Sequence, residues 1–316
     1  MPEYLLGIDE AGLAPNLGPL VITATFWELP AISSAETLWD SFSGILSQKR
    51  TSDRNLLHVA DSKQVHQATK GLANLERGVL TSLALLDHCP HDLKSLWSLL
   101  SPAGADEFVT EPWNVEQSQS IPVETDPEEI QRLSEHWRTR CDETGIQLKG
   151  VRSEIVSTSR YNGLVEKYGN KSIVLSKLSL GLIRNFWDPH SDDRCLIISD
   201  KHGGRNRYDE LIGEIAGDEF IIRCEESTSC STYRVRQSEL RFQVGGEEHL
   251  PVAIASMISK YVREASLIPF NEFFCRRIPD LKPTKGYPVD AARFRTDVRE
   301  IQRELGITDH QFWRCR

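Results

Sequence analysis

No stretch of this 316-residue chain approaches the length of a membrane span. A spanning helix needs about 20 consecutive apolar residues, and the apolar runs here are short, as at Leu20-Val21-Ile22 and Val79-Leu80. The first thirty residues lack the pattern of a secretory signal, so a cytoplasmic location and no membrane partner are expected. The seven cysteines (Cys89, Cys141, Cys195, Cys224, Cys230, Cys275 and Cys315) form no Cys-x-x-Cys pair and no Cys/His zinc spacing. Their odd number and spacing fit reduced thiols and no disulfide framework. Glycine and proline, at 20 and 15, are not in excess, which excludes collagen-like and linker-rich chains. Basic charge is in deficit: 37 Lys and Arg stand against 46 Asp and Glu, a net charge of −9. That disfavours a protein that coats nucleic acid by bulk charge alone.

The charge is uneven. Residues 1–230 hold 22 basic and 35 acidic side chains, whereas residues 231–316 hold 15 and 11. Such a split suits metal-holding acids in the first part and an anion contact in the second, though surface variation accounts for it equally well. With 39% hydrophobic residues the chain can bury a sizeable core. Its length suits two domains, or one α/β domain with insertions.

Tyr4 to Asp9 reads as a buried strand ending in an acid, and Gly12, Pro15, Asn16, Gly18 and Pro19 form a turn. Leu20 to Trp27, rich in β-branched and aromatic residues, reads as a second strand antiparallel to the first. Residues 63–87, 91–100 and 170–186 have helical spacing. Residues 101–131 carry eight acids and neither lysine nor arginine, with prolines at 102, 112, 122 and 127. They are expected to form an acidic surface insertion spanning about 88–150. Within it, Asp126-Pro127-Glu128-Glu129 is a helix start, with an N-cap, a first-position proline and acids in the first turn, and that helix is expected to reach about Asp142. A short strand is expected after Gly145. Cys195 to Asp200 is another strand running into an acid, Tyr233–Arg236 and Leu240–Val244 suggest two more, and Pro251 to Ser266 reads as a helix. Alternating strands and helices, with one hairpin, imply an α/β fold with a mixed sheet.

Two strands thus end at carboxylates, Asp9-Glu10 and Asp200, and a third ends at Gly245-Gly246-Glu247-Glu248. In α/β sheets the functional crevice lies beyond strand ends. Acids gathered there can hold Mg²⁺, which takes oxygen ligands, and paired ions suit phosphoryl displacement. Each acid alone is equally a turn former or a cap.

Read together, the flanking residues are more specific. Gly7-Ile8-Asp9-Glu10-Ala11-Gly12 followed by Gly18-Pro19-Leu20-Val21 resembles the opening signature of type 2 RNases H, the ribonuclease HII/HIII family. Asp61-Ser62-Lys63, Ile197-Ile198-Ser199-Asp200, the alanine-rich Ala253 to Lys260 with Arg263 beyond it, Lys285-Gly286-Tyr287-Pro288 and Asp309-His310-Gln311-Phe312 resemble later family elements in the same order. The resemblance covers almost the whole chain outside roughly 88–150. It implies an RNase H-like catalytic domain over 1–270, with a mixed sheet flanked by helices, and a largely helical C-terminal segment over 271–316. It also implies hydrolysis of the RNA strand of RNA/DNA hybrids, or of DNA containing ribonucleotides, with Mg²⁺ or Mn²⁺, leaving 3′-hydroxyl and 5′-phosphate ends. Asp9, Glu10 and Asp200 match three of the family's metal acids. Glu247 is the expected fourth, with Glu248 as the fallback, where the family normally has Asp. Gly12, Leu13, Ala14, Lys63, Lys260, Arg263 and Tyr287 fall at nucleic-acid-binding positions.

Leu13-Ala14 departs from the family's Arg-Gly or Lys-Gly. A Cβ at position 14 limits close backbone approach, and a 2′-hydroxyl is what distinguishes RNA from DNA. A nuclease of this fold with another nucleic-acid substrate, or a binding protein of impaired catalysis, is therefore the alternative reading. Lys201, Arg205 and Arg207 follow Asp200 near the expected cleft, and His202 reads as a surface histidine or a proton-transfer group. No protein partner is expected.

Overall fold

A computed structural model describes residues 3–30, 35–66, 71–116 and 118–315. Seven strands form one mixed sheet: β1 (Glu3–Ala11), β2 (Leu20–Leu29), β3 (Gln147–Val156), β4 (Arg194–Asp200), β5 (Ile221–Glu226), β6 (Cys230–Val235) and β7 (Ser238–Gln243). Their order across the sheet is β3-β2-β1-β4-β7-β6-β5. The expected hairpin is present, with β1 antiparallel to β2. At the centre β1, β4 and β7 run parallel, with Ile8 opposite Ser199 and Asp200 opposite Gln243. Their carboxyl ends therefore share one edge of the sheet.

The central strands read as nearly continuous apolar runs because both faces are covered. Leu5 and Val21 join the core on one face, and Leu6, Ile8, Leu20 and Ile22 join the core on the other. That split follows from the two-residue period of a strand. The first face is covered by α1 (Ala73–Ala84), α2 (Leu93–Leu100), α3 (Pro127–Thr144) and the 26-residue α7 (Leu250–Cys275). The second is covered by α4 (Thr158–Tyr168), α5 (Lys171–Ile183) and α6 (Asp209–Ala216). Among the described residues no helix is long and apolar enough to cross a membrane.

Helix α7 is the pillar of the molecule. Val252, Ile254, Ile258 and Val262 are all at most 2% exposed, and each such side chain contributes about 1.5–3 kcal/mol relative to exposure. The helix lies against β1 because residue 7 is glycine: a Cβ there would fall 2.2 Å from the carbonyl carbon of Pro251 and 2.4 Å from the amide of Val252. The Thr25 hydroxyl donates to the Pro251 carbonyl at 2.9 Å and fixes the start of α7 over β2. Helix α7 also runs past residue 270. Phe270, Phe273 and Phe274 form a third core with Phe294 of α8 (Pro288–Asp297) and with Phe312.

The segment 88–150 departs from the expected surface insertion. Leu93, Leu96, Trp97, Phe108, Ile121, Leu133, Trp137 and Cys141 all lie in the core beneath the sheet. Two acids, Glu76 before the segment and Glu124 within it, tie it to α1 and α7. Glu76 of α1 is fully buried and accepts from the amides of Val123, Glu124 and Thr125 at 2.6–2.7 Å and from the Tyr261 hydroxyl at 2.6 Å. Glu124 in turn accepts from the amides of Leu72 and Ala73 at the start of α1, where a carboxylate is favoured by the helix dipole. Asp126 caps α3 through the Glu128 amide, as expected, but the helix continues to Thr144 and ends at Gly145 in the left-handed conformation. The expected short strand is the ten-residue β3, at one edge of the sheet.

Candidate active site

Three neighbouring strand ends deliver four carboxylates to one cleft of about 360 Å³. Asp9 and Glu10 close β1, Asp200 closes β4, and Glu247 stands in the short turn Gly246–Glu248 after β7. That turn abuts β4 because position 246 lacks a side chain. A Cβ there would sit 3.1 Å from the Asp200 amide nitrogen. The turn aims Glu247 into the cleft, whereas Glu248 is exposed, does not line it, and offers its backbone carbonyl to the Trp39 indole at 2.7 Å. A fifth acid, Asp61, also lines the cleft. It caps the short helix Ser62–Val65 through the Lys63 amide, and places Lys63, exposed, on the rim.

Asp9 is held by α7. The Ser259 hydroxyl donates to the Asp9 carbonyl at 3.1 Å and lies within hydrogen-bond distance of the Thr23 hydroxyl, at 2.8 Å. Burial raises the Asp9 carboxyl well above the usual range, and the neighbouring Glu10 raises it further, while a hydrogen bond from Ser256 opposes the shift. Glu10 is pushed up to about 7, first by burial and then by Asp200, with Lys63 opposing. Burial, followed by Asp200 and Asp61, also raises Glu247. Lys63 is raised by Asp61 foremost, against its own partial burial, and then by Asp9, Glu247 and Asp200. Charges from six positions thus act on one another across the cleft.

This donor set suits a hard divalent cation in kind, since every candidate ligand is a carboxylate oxygen. It suits one in charge too, because the carboxylates raise one another's proton affinity. The expected four-acid centre is not drawn together, however. Among the described residues no three His, Cys, Asp or Glu side chains form a group that could hold a metal ion as they stand.

The remaining expected residues divide. Gly12, Leu13 and Ala14 line the cleft, with Ala14 exposed and Leu13 packed partly against the core of the second sheet face. Tyr287 is 46% exposed on the rim. Lys260 lines the cleft, 5.9 Å from the Tyr287 ring centre, and pairs with the buried Glu264 at 2.7 Å. Arg263 does not reach the cleft as a phosphate contact. It is fully buried, and its guanidinium donates to the carbonyls of Leu17 and Pro19 at 3.0 Å and of Lys285 at 3.2 Å. It clamps the 12–19 turn to the segment bearing Tyr287. Arg314, also buried, backs the same turn by donating to the carbonyls of Gly12 and Gly18, and it stacks on Tyr161.

His202 is neither a surface residue nor a proton carrier. It is 1% exposed, lies between Ser199 and Ser176, and is lowered to about 3 by burial and then by Arg205. Lys201 is buried and donates to Asn206 at 2.9 Å, to Ser231 at 3.2 Å and to the Ser227 carbonyl. Lys171 also lines the cleft, and nothing in its sequence setting distinguishes it from a solvated lysine at a helix start. Asp61 is foreshadowed only by its place in Asp61-Ser62-Lys63.

No family model and no curated protein matches the chain. Solved structures do. A chain of the PCNA:RNase HII complex from Archaeoglobus fulgidus is 14% identical, with 99% of this chain and 94% of that one covered at a TM-score of 0.40. Ribonuclease H2 from Pyrococcus horikoshii OT3 is 13% identical, with 98% and 92% covered at a TM-score of 0.43. RNase H3 from Aquifex aeolicus is 14% identical, with 98% and 70% covered at a TM-score of 0.38.

Proposed function

We propose that this chain is a divalent-metal-dependent endonuclease that hydrolyses the RNA strand of RNA/DNA hybrids and leaves 3′-hydroxyl and 5′-phosphate ends. The observation that carries the reading is the delivery of Asp9, Glu10, Asp200 and Glu247, from the ends of three adjacent parallel strands, into one cleft. These four acids would hold Mg²⁺ or Mn²⁺, which when bound activates water and neutralises charge on a phosphodiester.

The chain's own groups supply orientation. Lys63 on the rim pairs with a backbone phosphate, and Lys260, held by Glu264, offers a second cation. The exposed Tyr287 ring packs on a sugar or base at the cleavage junction, with Lys260 beneath its edge. The 12–14 backbone faces the position of a 2′-hydroxyl. Ala14 favours a second reading, in which the same site cuts a substrate chosen without that hydroxyl, because its Cβ is exposed at the cleft.

A gel assay separates these readings. The substrates are an RNA/DNA hybrid, a DNA duplex with one ribonucleotide and an all-DNA duplex, each with Mg²⁺ or Mn²⁺. Ribonucleotide-dependent cutting that disappears in Asp9→Asn supports the ribonuclease reading. Equal cutting of the all-DNA duplex moves the assignment to the second reading. No cutting by folded protein under either metal overturns both and leaves a fold that binds without catalysis.

A further inference from the structure

Beyond Asp200 the chain makes a shallow depression that the catalytic reading does not use. Its floor is the Gly203-Gly204 turn, and its walls are Asn170 and Ser172 on one side and Arg205, Asn206 and Arg207 on the other. None of its lining residues is acidic, in a chain of net charge −9. Lys201, a second lysine near the depression besides Lys171, is turned inward and fully hydrogen-bonded. The two arginines remain available. Arg207 is highly exposed, with one long ion pair to Glu226 at 3.6 Å. The Nε of Arg205 is buried and has no hydrogen-bond partner among the described residues.

The depression adjoins the carboxylate cleft. Lys171 lines the cleft, while its chain neighbours Asn170 and Ser172 line the depression, and consecutive Cα atoms lie only about 3.8 Å apart. The wall is rigid. Asn170 caps α5 through the Ser172 amide at 2.7 Å, and the Ser172 hydroxyl donates to the His202 carbonyl at 2.9 Å, tying α5 to the loop after β4.

We propose that this depression binds a backbone phosphate of the nucleic acid whose scissile bond lies in the adjoining cleft, with Arg205 and Arg207 as the cations. The inference rests on the nuclease reading for the identity of the ligand, but not on turnover. A guanidinium fork matches a phosphate in geometry and charge, no carboxylate lines the depression itself, and a bound phosphate would compete with Glu226 for Arg207 alone.

The test measures binding without cutting. Fluorescence anisotropy with a labelled RNA/DNA hybrid and a labelled DNA duplex, both in EDTA, gives Kd across a salt series. The comparison is between wild type, Arg205→Ala/Arg207→Ala, Arg205→Lys/Arg207→Lys and the charge-matched control Arg184→Ala/Arg194→Ala. Arg184 caps the far end of α5 and Arg194 begins β4, at the pole away from Asp200. The alanine pair is expected to weaken binding to both duplexes about equally and to lower the slope of log K against log salt by about 1 to 2. The lysine pair should recover most of the slope, and the control should leave it unchanged. An unchanged slope in the alanine pair, an equal loss in the control, or no duplex binding by wild type would each overturn the proposal. A parallel titration with inorganic phosphate, followed by thermal shift, identifies the source of the ligand. Phosphate protection that the alanine pair abolishes, with duplex binding untouched, reassigns the depression to a free anion and also overturns it. Because every readout is taken in EDTA, a failure of cleavage and a failure of this site are seen separately.

Discussion

Gly7 lies directly beneath Pro251, with no room for a methyl group between strand β1 and the first turn of α7. The contact spans the chain from one end of the sheet domain to the other, and it sets how closely Ser256 and Ser259 approach Asp9. Gly7→Ala would drive a Cβ into backbone atoms that cannot rotate aside. Overpacking of this kind costs about 1–3 kcal/mol, occasionally more. Urea unfolding should show a lower midpoint of that size. A midpoint equal to wild type would mean that α7 can slide away from the strand.

The carboxylate cleft predicts a pH dependence of stability. Glu10 titrates near 7 in the folded chain, against about 4.3 for an unperturbed Glu. Between those values the folded state binds more protons than the unfolded one, so stability falls as pH rises across this window and levels off above it. Burial and Glu10 shift Asp9 in the same direction. Glu10→Gln should therefore raise the melting temperature over wild type by a few degrees at pH 8, and by much less at pH 5. A difference independent of pH would place the strain elsewhere.

Divalent cations should act in the same sense. Millimolar Mg²⁺ or Mn²⁺ is expected to raise the wild-type melting temperature, more at pH 8 than at pH 5, because binding to the native state alone stabilises it and ionised acids bind better. The rise should vanish in Asp9→Asn/Asp200→Asn. No rise in wild type would show that the acids do not close around an ion.

Glu247 and Glu248 are neighbours with opposite fates, one in the cleft and one in solvent. Glu247→Gln should reduce the rate of hybrid cleavage by roughly 100-fold or more, the scale of losing one group that stabilises a transition state. Glu248→Gln should leave the rate nearly unchanged. Equal losses in the two variants would place the turn in a different register during catalysis.

Arg263 and Lys63 test the difference between positioning and contact. Arg263→Met leaves the buried carbonyls of Leu17 and Pro19 and the partly buried one of Lys285 without this donor and should cost about 3 kcal/mol or more of stability. Lys63→Ala, at an exposed position, should change stability by within about 0.5 kcal/mol, yet weaken hybrid binding. Urea unfolding and anisotropy on the same pair of proteins separate the two effects.

The strands that end in acids were legible because each is an apolar run closed abruptly by a carboxylate, as at Leu5 to Asp9 and Cys195 to Asp200. Strand β5 was not, because it lies at the sheet edge with most of its residues exposed and no apolar alternation to betray it. Helix α6 hides behind two acids in its first turn. The segment 88–150 reads from sequence as a surface insertion because acids and prolines dominate its middle, while Trp97, Phe108 and Trp137, which decide its burial, are widely spaced. In the cleft, residue identity pointed to the four acids, but not to their separation. Arg263 reads as a phosphate contact in a small-residue helix. Only the convergence of two distant turns on its guanidinium reveals an internal fastening.

Arg314 holds the carbonyls of Gly12 and Gly18, so the wall of the cleft beside Asp9 and Glu10 is fastened by a side chain some three hundred positions away. During synthesis Asp9 and Glu10 emerge some three hundred residues ahead of Arg314, and their wall cannot set until residue 314 has followed. A nascent chain would therefore carry these carboxylates through that whole interval without the surface that orders them, and the cleft would become ordered late and all at once.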